Sequence, residues 1–348
     1  MTQTSRKIEL SELKSFCTQS LVKAGMPEDY AQITAEVLAE TDAYGTHSHG
    51  TVNLGNYIKK AAVGGLDITA EPTIIKDGPA FAIMDAQNSM GMVPSYKAME
   101  LACEKAKQTG IALVTVKNST HFGAAGYYAN MAALKGMLGL AMSNVDPNMT
   151  APGARGMLIG NNPLSYAAPA STTPTIFLDI ALSNVASLKV VKARKEGKSI
   201  PDTWVVDKDG LPTTDPSHYP EEGAVQPMAA HKGYGLAVMV ELMTGALSGG
   251  GMSMLGDIVS WLFEIEAPNK VCHTFIAIDV EQFVGKKAFI ERADAMAKAL
   301  RSAPKAKGSE QIYTPGEIEW NNYNEAQDGL ELPANVVESL EDLSFEMG

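Results

Sequence analysis

The first seventy residues repeat apolar positions with a helical period. Leu13, Phe16, Cys17 and Leu21 fall on one face, Gly25 supplies a stop, and Pro27 opens a second helix whose apolar residues are Ile33, Val37 and Leu38. Gly45 ends that second helix, and the pattern predicts a third over about 49–62, closed by Gly64-Gly65. From Pro72 the pattern shortens to apolar runs between turn residues, at 73–75, 81–84, 111–116, 138–143 and 175–180, with helical stretches at 94–108 and 127–135. Beyond His231 long helical patterns return at 235–247 and 286–300, with one strand predicted at 273–279. The expected fold is therefore α/β. A sheet domain over 72–230 sits inside a discontinuous, mainly helical domain made from 1–71 and 231–348.

A chain of 348 residues with 45% apolar content is too long for one small domain and ample for a core. The net charge of −12 and the lack of a long Lys/Arg run argue against a nucleic-acid groove. The polar start, Met1 to Lys7, leads toward an amphipathic helix and lacks the apolar region of a secretory signal. The best apolar stretch, 236–247, is interrupted by Glu241 and too short to cross a bilayer. Cys17, Cys103 and Cys272 form neither a CxxC pair nor an even set, which fits free thiols in a reducing cytoplasm.

His121 is the leading candidate for chemistry. It stands in Asn118-Ser119-Thr120-His121-Phe122-Gly123, directly after the β-branched run at 111–116, and an imidazole with an ordinary pKa of about 6.5 can take or return an alcohol proton near neutrality. A second cluster is Gly45-Thr46-His47-Ser48-His49-Gly50. On a helix starting near His49, the side chains of His49, Asn53, Tyr57 and Lys60 share one face, which reads either as a solvated face or as a substrate-binding one. Gly160-Asn161-Asn162-Pro163, Ser165 to Pro169 and Phe177 to Ser183 place amide, carboxylate and hydroxyl groups at strand ends, where they read as turns or as nucleotide contacts. His231-Lys232-Gly233-Tyr234-Gly235 precedes a helical run, where backbone N–H groups and a cation can meet a pyrophosphate. No G-x-G-x-x-G or P-loop occurs, and six histidines and three cysteines never take metal-ligand spacing, so no metal is expected.

Together these clusters resemble the type-2 malate/L-lactate dehydrogenase family of NAD(P)-dependent oxidoreductases. The matching residues are Gly45-x-x-Ser48-His49-Gly50, Asn118-Ser119-x-His121-Phe122-Gly123, Gly160-x-Asn162-Pro163, Leu178-Asp179-x-Ala181-x-Ser183, Lys232-Gly233-Tyr234-Gly235 and Tyr313-x-Pro315-Gly316-Glu317, in order over nearly the whole chain. Segments 199–204 and 213–216 look like the ureidoglycolate dehydrogenase branch. The resemblance implies a homodimer whose NAD lies on a mixed sheet of non-Rossmann topology, with NADP not excluded. It implies His121 as general acid/base, with His49 as its rival. It also implies cofactor contacts at Asp179, Ile180, Ala181, Lys232 and Gly233, and at Pro315, Gly316 and Glu317. Ser48, His49, Tyr57 and Asp146 match positions near the substrate, Asp146 as a group that orients an imidazole or the substrate.

One departure stands out. Where most members carry Ser-His-Gly-x-x-Arg, this chain has Asn53, which replaces a bidentate guanidinium with a neutral donor. This favours a less anionic hydroxy compound, or a cation supplied from elsewhere. The expected activity is hydride transfer between a nicotinamide and a small 2-hydroxy or 2-oxo acid. The alternatives are reduction of a ketimine acid or an oxo-sugar acid and, from another class, a nucleotide-binding regulatory protein without turnover.

Overall fold

The computed structural model describes residues 5–347; Met1 to Thr4, part of the polar start read above, and Gly348 lie outside them. The chain opens with strand β1 (Arg6–Ile8), then helices α1 (Leu10–Lys23), α2 (Glu28–Ala43) and α3 (Leu54–Ala62). The middle section runs β2 (Thr73–Gly78), β3 (Phe81–Asp85), α4 (Met92–Thr109), β4 (Ile111–Ser119), α5 (Ala125–Leu134), β5 (Leu138–Ser143), β6 (Leu164–Pro169), β7 (Thr175–Ile180) and α6 (Ser187–Lys195). Three short strands, β8 (Val205–Val206), β9 (Pro212–Thr213) and β10 (Ala224–Val225), precede α7 (His231–Glu241). The remainder is β11 (Val271–Ile278), α8 (Lys286–Arg301), α9 (Glu317–Ala326), β12 (Leu330–Leu332) and α10 (Ala334–Met347).

Two expectations need correction. Arg6–Ile8 does not lead straight into a helix; it pairs antiparallel with β12, which ties the two ends of the described chain together. The third helix does not begin at His49. Residues His47–His49 and Thr51–Asn53 form two 3-10 turns, and α3 starts only at Leu54. The polar row inferred from one continuous helix is therefore broken at Gly50, between His49 and Asn53.

Seven strands form one sheet in the order β2-β3-β4-β11-β5-β6-β7, and a separate three-stranded sheet has the order β10-β8-β9. Within the large sheet only β3 and β4 pair in parallel, joined by the crossover helix α4. α5 links β4 to β5 but leaves one strand position open between them, and β11 fills it antiparallel to both neighbours. The sheet thus takes its central strand from the 231–348 segment, so chain position 230 does not separate sheet from helices. A strand that arrives last and lands in the middle is invisible to local periodicity.

Period-two alternation then sets the two faces. Phe275 and Ala277 of β11 join Val114, Ala141 and residues of α4 and α5 in the main core. Ile276 packs from the other side toward Met142, Ala237 and Val240, so α7 covers the opposite face. His273 points to the main core and is fully buried. Its Nδ1 is 2.9 Å from Ser143 Oγ on β5 and its Nε2 2.8 Å from Ser119 Oγ on β4, while its ring stacks on Phe122 with centroids 4.4 Å apart.

Burial pushes the His273 imidazole down to about 3, against a backbone hydrogen bond at Thr120 that pulls upward. In the unfolded chain it returns to about 6.5. Above that pH the group adds no pH dependence, but as pH falls the unfolded chain gains a proton that the folded chain refuses, so stability drops. Urea midpoints should therefore fall between pH 7.5 and pH 5. His273→Gln should be less stable at pH 7.5, yet lose the equivalent of about one proton from the slope, roughly 1.4 kcal/mol per pH unit at most. An unchanged slope would show that another group sets the acid limb.

Candidate active site

Strand β4 ends at Ser119, and the next two residues carry the site. Thr120 Oγ1 accepts from the Gly91 N–H at 2.9 Å, which fixes the turn against the start of α4, and His121 follows, half-buried. Tyr57 of α3 reaches it: the phenol oxygen lies 2.6 Å from His121 Nδ1. The Trp261 ring stacks on His121 with centroids 4.6 Å apart and planes 17° apart, and on Tyr57 at 5.0 Å and 18°. His49 is near, with ring centroids 5.6 Å from His121. Burial, then the neighbouring His49 and His273, hold the His121 imidazole well below its ordinary range, so it is neutral at pH 7.

His49 is placed by a buried carboxylate. Asp42, at the end of α2, accepts from the Thr51 N–H at 2.8 Å and from Thr51 Oγ1 at 2.6 Å, and lies 2.8 Å from His47 Nδ1. These three contacts wrap the 3-10 turns around one side chain. Ser48 Oγ lies 2.9 Å from His49 Nδ1, and burial lowers the His49 pKa. Asn53 is buried, and its amide donates to Ser48 O at 2.9 Å, so it braces the turn from within. Lys60 is buried too, and its ammonium donates to backbone carbonyls of Glu264, Ile265 and Ala267. Of the polar row read from sequence, His49 and Tyr57 meet at His121, whereas Asn53 and Lys60 support backbone.

Asp146 lies on the loop after β5. Burial raises its pKa, its own backbone N–H lowers it, the Glu264 charge raises it again and the Ser260 hydroxyl lowers it; the net direction is upward. It thus faces the same segment that carries Trp261, and no hydrogen bond joins it to His49 or His121 among the described residues.

The candidate cofactor residues gather at the far end of β7. Asp179 Oδ2 accepts from the Gly126 N–H at 2.7 Å. Part of the Asp179 side chain is reached by solvent, but the carboxyl sits in the crease between β7 and the first turn of α5, and this shortage of water pushes it up to about 6 against the pull of the Gly126 N–H. Ile180 and Ala181 are half-buried beside it. Leu182 O accepts from the Met228 N–H at 2.8 Å, which brings the end of β7 to the start of α7. Gly233 packs so closely there that a Cβ would overlap the carbonyls of Met228 and Leu182. Its N–H donates to Met228 O at 2.8 Å. The amide expected to meet a pyrophosphate is therefore already used, and Lys232, exposed in the first turn of α7, is what remains. Pro315 O accepts from the Phe177 N–H at 3.2 Å, and Glu317 accepts from the Thr314 N–H and hydroxyl and from Arg301 Nε, each at 2.9 Å. Gly316 turns between them and lies against Phe177. This segment is fastened to the middle of β7, with the Glu317 carboxylate occupied.

The comparisons with known proteins fit this arrangement. Residues 8–341 match the malate/L-lactate dehydrogenase family. The chain belongs to that family. It is therefore an oxidoreductase, and the likeness to several relatives runs end to end. The malate dehydrogenase of Pyrococcus horikoshii is 35% identical over 98% of this chain and 96% of its own, and the solved structure from that organism superposes with a TM-score of 0.89, covering 99% and 96% of the two chains. Sulfolactate dehydrogenase from Methanocaldococcus jannaschii superposes with a TM-score of 0.90 at 34% identity, covering 99% and 98%. Ureidoglycolate dehydrogenase (NAD(+)) of Escherichia coli K12 is 32% identical over 96% and 95%. These identities lie too close together to single out the ureidoglycolate branch. Dehydrogenases of this family use a nicotinamide cofactor. At the crease Asp179 offers a carboxylate and Lys232 an exposed cation, while the Cβ positions of Gly126 and Gly233 are taken up by Asp179 and by the Met228 and Leu182 carbonyls.

Sequence reasoning missed Trp261, Asp42 and the carbonyl contacts of Lys60. Trp261 lies in an irregular segment with no periodic signal, and Asp42 looks like any polar residue near a helix end. Replacing Asp42 with Ala strips Thr51 of two buried contacts and should cost about 2–3 kcal/mol in urea denaturation. Asp42→Asn, which keeps one acceptor oxygen, should lose roughly half as much. Equal stability of Asp42→Ala and the parent would show that the turns hold without this carboxylate.

Proposed function

We propose that the protein is an NAD-dependent dehydrogenase that interconverts a small 2-hydroxy acid and its 2-oxo form, with His121 as the group that takes and returns the hydroxyl proton. The observation that carries this reading is the neutral imidazole held at its Nδ1 by Tyr57 and stacked by Trp261 at the end of β4. The Tyr57 phenol and the Gly123 N–H both engage Nδ1, at 2.6 and 3.4 Å, so Nε2 is the ring nitrogen left to exchange a proton with the substrate hydroxyl. A bound nicotinamide supplies the hydride acceptor. Ser48 and Tyr57 position the acid, Asn53 holds the Ser48 turn, and Asp146 lines the side of the segment bearing Trp261. His49, tied at Nδ1 to Ser48, assists as a second polar wall.

Asp179, Ile180 and Ala181 with Lys232 and Gly233 would hold the dinucleotide, and Pro315-Gly316-Glu317 would buttress β7 from behind. Asp179 favours NAD over NADP, because a carboxylate accepts from ribose hydroxyls and repels an added phosphate. Malate, sulfolactate and ureidoglycolate, named in the relatives above, all present a hydroxyl on the carbon next to a carboxylate, which supports the substrate class. A homodimer fits the solvent-facing apolar side chains of Leu236 and Met239 on α7 and of Leu242 just beyond it. No described helix is long and apolar enough to cross a membrane, and the reading places the enzyme in the cytoplasm.

Steady-state kinetics test the assignment. His121→Ala should lower kcat by about 10²-fold or more and leave the dinucleotide KM nearly unchanged, since a general base acts on the substrate. Near-normal turnover in His121→Ala with loss in His49→Ala would transfer the role to His49.

A further inference from the structure

The segment over His121 carries Trp261, and what fixes that segment is the end of α3. Lys60 sits one turn after Tyr57 on the same face of α3 and is 1% exposed. Its ammonium donates to Ala267 O at 2.6 Å, Glu264 O at 3.1 Å and Ile265 O at 3.4 Å. An ammonium has three protons, so these carbonyls use its whole donor capacity. A second contact secures the same stretch: Gly65, just past α3, lies so close to the Ile265 carbonyl that a Cβ would overlap it. One helix therefore bonds His121 through Tyr57 and, a turn later, pins the backbone that carries Trp261.

We propose that Trp261 is the specificity-determining wall of the substrate pocket, the surface on which the acid's side group packs, and that Lys60 is the positioning residue that sets where this wall stands. The inference rests on the reading of His121 as the proton-transfer group, because it places the reacting carbon beside the imidazole that Trp261 covers. An indole face offers dispersion and apolar area and no charge. The cation that could have met a second carboxylate is spent: Lys60 serves three carbonyls, and the Asn53 amide serves Ser48 O. His49 and His121 are both neutral at pH 7. The pocket so lined selects a 2-hydroxy acid with an uncharged aliphatic or flat side group over a dicarboxylate.

Isothermal titration of the intact enzyme loaded with NADH, using 2-hydroxy-4-methylpentanoate and malate as probes, tests this without turnover. The parent should bind the branched acid more tightly than malate. Trp261→Ala should weaken the branched acid about tenfold and malate little, a loss equivalent to about 1.4 kcal/mol, and Trp261→Phe should keep most of the affinity. Lys60→Met should reproduce the Trp261→Ala pattern with the indole still present. It should also raise acrylamide quenching of the emission that Trp261→Phe removes. If Lys60→Met does not fold, the two Trp261 variants carry the test of the wall, and Gly65→Ala, which pushes on the same carbonyl, carries that of the positioning. A parent that prefers malate or binds neither acid, or a Trp261→Ala that weakens both equally, overturns the wall. Unchanged quenching and preference in Lys60→Met overturns the positioning role. Failure of the His121 reading is separate, since His121→Ala would then keep turnover whatever these affinities show.

Discussion

The structure depends on where β11 goes. The β4–α5–β5 unit leaves a gap one strand wide, and a gap in a sheet is a double row of unpaired N–H and C=O groups that cannot stay buried. β11 closes it and hydrogen-bonds on both sides, and its His273 bridges the ends of the two strands it separates. His121 follows only two residues after the Ser119 that His273 holds. The insertion that completes the sheet also fixes the base of the site, and the ring stack of His273 on Phe122 carries that order into the next residue.

Around this base the protein places neutral or fully engaged polar groups. Asp42 meets Thr51 and His47, and Glu241, buried at the end of α7, accepts from the Asn144 and Asn162 side chains at 3.2 and 3.3 Å and from the Ser253 hydroxyl. Each carboxylate ties a loop to a helix, so loops that regular structure does not fix are fixed by single side chains. Two such loops, at 47–53 and 253–267, approach His121 from opposite parts of the sequence. Their convergence gives a histidine two donor-rich neighbours, an indole on one face and little water, the conditions under which an imidazole stays neutral and available.

Much of this was legible in the sequence. Strands β5 and β7 end where the apolar runs end, α4 and α5 fall within about a turn of the predicted stretches, and His121 stands at the strand end where its motif put it. Of the motifs that offered candidate cofactor residues, those at Asp179 and at Lys232-Gly233 sit at a strand end and a helix start that the fold brings together, while Pro315 bonds to the middle of β7. What was not legible had no local signature. The position of β11 is set by partners more than one hundred residues away. The break at Gly50 depends on Asp42, eight residues earlier, drawing Thr51 inward, which outweighs the helical spacing of His49 and Asn53. Lys60 belonged to a polar row that read as either solvated or substrate-binding, and only the Glu264 to Ala267 backbone folded over it shows that it does neither.

The account's central claim is that this fold moves a hydride to and from the carbon beside a carboxylate. The direct measurement is to incubate the protein with NADH carrying deuterium at both C4 positions and a panel of 2-oxo acids, and to locate the label in the products by NMR. The account predicts NADH consumption with at least one oxo acid and deuterium at C2 of the resulting 2-hydroxy acid. Binding of NADH without consumption by any acid, or consumption that leaves no deuterium at C2, would contradict it.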